Sequence, residues 1–72
     1  MHTKLSNQLK KVLTEGELKR LLELKKATDP DLGQLGLRSF FHDPIIFDKV
    51  KTIYDPTWLA YDIFINRHLY EF

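Results

Sequence analysis

Cysteine is absent from these 72 residues, so disulfides, thiolate metal sites and cysteine nucleophiles are excluded. The same absence makes a reducing compartment the expectation, with cytoplasm as the default. Long apolar runs are missing too. None approaches the roughly 18 to 20 residues that cross a bilayer, and the N-terminal stretch MHTKLSNQLKK lacks the apolar centre of a signal peptide. No membrane role is expected, and the length suits a single domain over residues 1–72 whose one core is barely sufficient.

Catalytic and ligand motifs are equally scarce. His2, His42 and His68 are scattered and form no metal-binding spacing, and Ser6 and Ser39, the two serines, stand in no nucleophile-elbow sequence. The segment Gly33 to Gly36 is too short for a phosphate loop and reads as a helix stop with a turn. The carboxylates are numerous, but Asp29, Asp43 and Asp55 have a structural task, and so short a chain offers little cleft in which to shift a carboxylate's pKa. The sequence therefore predicts no catalytic residues, no metal and no cofactor, and a protein that is not an enzyme.

Proline is present three times, always after aspartate: Asp29-Pro30, Asp43-Pro44 and Asp55-Pro56. Aspartate accepts hydrogen bonds from the free N–H groups of a helix start, and proline fits the first helical position, where no N–H is needed. Three helix starts follow. Upstream, Leu5, Leu9, Val12 and Leu13 occupy one helical face, and Leu18, Leu21 and Leu22 occupy another, with Leu24 at its edge. In one straight helix the two stripes would point roughly 150° apart, so one core could not take both. Thr14-Glu15-Gly16-Glu17 fits a capping box and supplies the break. The spacing predicts helices over about 4–13 and 15–27, folded as a hairpin; one continuous helix that exposes a stripe is the alternative.

Residues 30–41 read as irregular because Gly33 and Gly36 each oppose a helix by about 1 kcal/mol. A short helix from Pro30 to Leu35, then Leu37, Phe40 and Phe41 plugging the core from a turn or a further helical piece, is the expectation. Over 44–54 the apolar residues Ile46, Phe47, Val50, Ile53 and Tyr54 share about 120° of a helical wheel. The last segment, about 56–70, has two apolar faces instead. Trp58, Tyr61, Ile65, Leu69 and Phe72 fall together, while Leu59, Ile63 and Tyr70 lie roughly 120° away, with Asp62 and Asn66 between. The Trp58 face is assigned to the core. The second face, Leu59, Ile63 and Tyr70 with Asp62 and Asn66, is then the candidate protein interface.

The fold expected is an all-α bundle of four or five short helices, with the second, fourth and fifth supplying most of the core. Charge is divided along it: residues 1–28 carry 7 basic and 3 acidic side chains, residues 29–72 carry 4 and 7. The sequence favours a non-catalytic interaction module, an inhibitor, adaptor or subunit that occupies the surface of another protein or of a second copy. A phage or mobile-element regulator is an analogy from size alone. The alternative is a nucleic-acid-binding regulator. It would use Lys10, Lys11, Lys19, Arg20, Lys25 and Lys26 on the hairpin, or a degenerate helix-turn-helix in which Gln34 and Arg38 read bases. Asp29 and Asp31 oppose the latter, because they stand where phosphates would lie.

Overall fold

Each Asp-Pro pair opens a helix in the computed structural model, which describes residues 2–72. The five helices are α1 His2–Val12, α2 Glu15–Lys25, α3 Pro30–His42, α4 Pro44–Val50 and α5 Pro56–Ile65, followed by a 3-10 turn at Arg67–Leu69. No strand is present among the described residues, and the fold is the all-α bundle that the apolar spacing predicts.

The caps repeat one geometry. Asp29 Oδ1 accepts from the N–H groups of Asp31 and Leu32 at 3.0 and 3.3 Å, Asp43 Oδ1 from Ile45 and Ile46 at 3.0 and 3.3 Å, and Asp55 Oδ1 from Thr57 and Trp58 at 2.9 and 3.4 Å. Asp43 serves two helices, because its own N–H also donates to Phe40 O at the end of α3. At α2 the capping box forms: Glu17 N–H donates to Thr14 Oγ1 at 3.2 Å and Thr14 N–H to Glu17 Oε1 at 2.8 Å. The break between α1 and α2 therefore holds and the single continuous helix does not, but the two do not pack on each other as the expected hairpin: α1 packs on α4 and α2 on α3. Glu17 Oε1 also takes Lys49 Nζ at 2.8 Å, which ties the start of α2 to α4.

α1 and α2 lie within two residues of their expected bounds, whereas α3, α4 and α5 depart further from the sequence reading. α3 is unbroken through Gly33 and Gly36, so the irregular segment is in fact a 13-residue helix packed on α2, α4 and α5. Close packing outweighs propensity there. A Cβ on Gly36 would lie 2.5 Å from Leu24 Cδ2, and one on Gly33 would touch Phe64 at 3.6 Å. α4 ends at Val50 rather than 54, where Ile53 and Tyr54 turn back to donate to Val50 O at 2.8 and 3.1 Å. α5 ends at Ile65 rather than 70: a 3-10 turn follows at Arg67–Leu69, and Tyr70 is extended with its side chain in the core.

The core joins all five helices: Leu5, Leu9 and Leu13; Leu21 and Leu24; Leu37, Phe40 and Phe41; Ile46 and Val50; Leu59, Ala60 and Ile63; and Tyr70 from the tail. α1 and α3 thus contribute as fully as α2, α4 and α5. α5 runs antiparallel to α3, with Phe64 over Gly33 and Arg67 Nη1 donating to Ala27 O at 3.1 Å. No helix among the described residues is long and apolar enough to cross a membrane.

Candidate interaction surface

The packing of α5 on α3 decides which of its two faces stays outside. Leu59 and Ile63 are fully buried and Tyr70 is 2% exposed, so the predicted interface belongs to this chain's own core. Trp58, Tyr61 and Ile65 remain 63%, 51% and 50% exposed. The two faces are exchanged relative to the sequence reading. The reason is volume: Leu59, Ala60 and Ile63 form a narrow aliphatic surface that lets α5 approach α3, whereas an indole at that contact would hold the helices apart. Phe47, on the apolar face expected to pack inward, is also exposed.

Asp62 and Asn66, the polar members of the predicted interface, form a clasp inside the protein. Asn66 Nδ2 donates to Asp62 Oδ1 at 3.0 Å, Tyr70 OH donates to Asp62 Oδ2, and His2 Nε2 lies 3.3 Å from that same oxygen. Burial, followed by the adjoining carboxylate, pushes the Tyr70 phenol well above its ordinary pKa. Ser6 completes the tie between the chain ends: its hydroxyl donates to His2 O at 2.8 Å and accepts from Glu71 N–H at 3.1 Å. These groups hold the tail against α1 and α5.

The exposed face is built from two helices. On α5, Trp58 and Tyr61 meet edge to face with ring centroids 6.0 Å apart, and Ile65 continues the same stripe. On α3, Gln34 and Arg38 stand one turn apart. Between them runs a groove of about 410 Å³ lined by Gln34, Arg38, Thr57, Trp58, Ala60 and Tyr61. Arg38 is its single charge, and no carboxylate lines it. A second groove, of about 450 Å³, follows the other side of α3 past Leu24, Leu32, Leu35 and Phe40. Leu32 and Leu35 are 60% and 59% exposed there.

The six basic residues do not form one uniform patch. Lys10, Lys11, Lys19, Arg20 and Lys26 are exposed, with Arg20 Nη1 3.4 Å from Glu23. Lys25 is withdrawn: its ammonium donates to Tyr70 O at 2.6 Å and lies 5.2 Å from the centre of the Phe72 ring. Burial there, with Lys26 nearby, lowers its pKa. Lys10 and Lys19 do converge, on a groove that Leu18, Leu22 and Phe72 line and Glu15 shares. Among the described residues, no three histidines or carboxylates gather as metal ligands would.

Sequence reasoning assigned Gln34 and Arg38 only to base reading, and Trp58 and Tyr61 to the core. The signal that locates them was present. Ala60 beside Leu59 and Ile63 is the small-residue side of α5, the side that packs closely on α3 and leaves the bulky ring outside. Comparison with protein-family models, curated proteins and solved structures finds no match.

Proposed function

We propose that this chain is a non-catalytic protein-interaction module, an inhibitor, adaptor or subunit, and that the α3–α5 face is the surface it presents. The observation that carries this reading is the exposed Trp58–Tyr61 pair beside an arginine that enters no ion pair among the described residues. Tryptophan, tyrosine and arginine dominate the energetics of protein interfaces, because they combine large apolar area with directed hydrogen bonds. Leaving two such rings in water forgoes burial that a partner would supply. Capture of partners from the source cells by wild type, Trp58→Ala and Arg38→Asp tests the reading. A specific partner should be lost with both variants, while equal recovery by all three excludes this surface.

A nucleic-acid reading keeps one supporting observation, the convergence of Lys10 and Lys19 on a single groove. Binding through it would be weakly specific and would fall steeply with salt. A mobility shift on random duplex DNA that disappears with Lys19→Glu and is insensitive to Trp58→Ala would favour it over the protein surface.

A further inference from the structure

We propose that the chain covering this face is a second copy of the protein, docked antiparallel along α3 about a two-fold axis near Leu35. The inference rests on the reading of the α3–α5 face as an interaction surface and names its occupant. It starts from the outward ridge of α3. Asp31, Leu35, Arg38 and His42 follow i, i+4, i+7, i+11 and fall within about 60° of one another on the wheel. All four are exposed, Leu35 at 59%.

The charges on that ridge complement their own copy. Asp31 and Arg38 are separated by seven residues, about 10.5 Å along the axis, too far to pair within the helix. Neither enters an ion pair elsewhere among the described residues. In a two-fold contact, residue i meets j while j meets i. An antiparallel α3 pair centred beside Leu35 sets Asp31 against Arg38 of the second copy, twice, and brings the two Leu35 side chains together at the axis. A parallel pair would place Asp31 on Asp31 and Arg38 on Arg38. Only the antiparallel arrangement turns all four charges into attraction.

The flanks extend the contact. Leu32 lies on one side of the ridge and the Trp58–Tyr61 groove on the other, so an approaching helix covers apolar surface on both sides. One helix and its margins make a contact at the small end of specific interfaces, so the dimer should dissociate on dilution.

Sedimentation equilibrium on wild type, Asp31→Arg, Arg38→Asp and an equimolar mixture of the two variants tests the geometry, with circular dichroism to confirm unchanged helix content. Wild type should approach twice the monomer mass as concentration rises. Each variant should associate at least about tenfold more weakly, because its two ridge charges then share one sign. The mixture should recover the dimer, since one variant supplies two positive and the other two negative ridge charges. A wild type that remains monomeric throughout overturns the proposal, as does a mixture that stays monomeric. In either case, partner capture that still requires Trp58 would leave the interaction surface standing for a different chain.

Discussion

At the scale of single residues, the three glycines are not equivalent, although each carries the same intrinsic helix penalty. Gly33 has room for a methyl group in ordinary contact with Phe64 and Ala27, whereas a methyl at Gly36 would run into Leu24. Gly33→Ala should therefore stabilise the protein by about 0.5 to 1 kcal/mol, and Gly36→Ala should fall below it, with little gain or a net loss. Thermal or urea melts of the two variants read the order directly. Glu17 makes a second residue-scale case. The hydrogen bond from Lys49, then the Thr14 N–H, holds its carboxyl below the ordinary value. A depressed carboxyl pKa contributes stability above the unfolded value, about 4.3, and that contribution is lost as pH falls through the folded one. Acid titration of stability should thus be shallower in Glu17→Gln than in wild type. The variant should cost about 0.5 to 1 kcal/mol at neutral pH, because the pair is only partly buried.

At the scale of elements, α5 and α3 show how far local pattern reaches. The start of α5 was legible because Asp55 and Pro56 act within four residues of themselves, and its helical period was legible for the same reason. Its inward face was not, since Trp58 and Leu59 lie on equally apolar stripes and only the partner helix distinguishes them. Leu59→Ala should cost about 2 to 5 kcal/mol and Trp58→Ala less than about 1, a contrast that urea unfolding monitored by circular dichroism will measure. Equal losses would return Trp58 to the core. The sole tryptophan also reports the surface itself: its emission should be that of a solvated indole in the dilute monomer and shift to the blue when the face is covered. In α3 the same limit acted in reverse. Two glycines argued against a helix locally, yet the helix runs through both, and Gly36 takes the close approach of Leu24 from α2 that a Cβ there would obstruct.

At the scale of the whole molecule, the two ends of the chain are fastened to each other. His2 and Ser6 on α1, Asp62 on α5 and Tyr70, Glu71 and Phe72 in the tail form one connected region, with Lys25 of α2 holding the Tyr70 carbonyl. A small core gains most from such a closure, because it draws α1 and the segment after α5 into one cooperative unit. Tyr70→Phe should cost about 1 to 3 kcal/mol by leaving Asp62 short of a donor. The raised phenol pKa adds an alkaline signature. Stability from the protonated phenol is complete below its unfolded value, about 10, and is lost as pH rises from there toward the folded value. Alkaline unfolding above pH of about 10 should therefore be blunted in Tyr70→Phe relative to wild type.

The sequence by itself determined the all-α class with four or five helices, the four capped starts at Thr14, Asp29, Asp43 and Asp55, and the break that the first of them makes. Each depends on chemistry within about one helical turn: a carboxylate reaching a nearby N–H, a proline that needs no partner, an apolar repeat of 3.6. Only the tertiary structure decided that α3 is unbroken, that the tail leaves the helix to bury Tyr70, and that Leu59 and Ile63 go inside while Trp58 and Tyr61 stay out. Those outcomes depend on how side-chain volumes fit across helices distant in sequence, where a glycine or an alanine on one element selects the face of another.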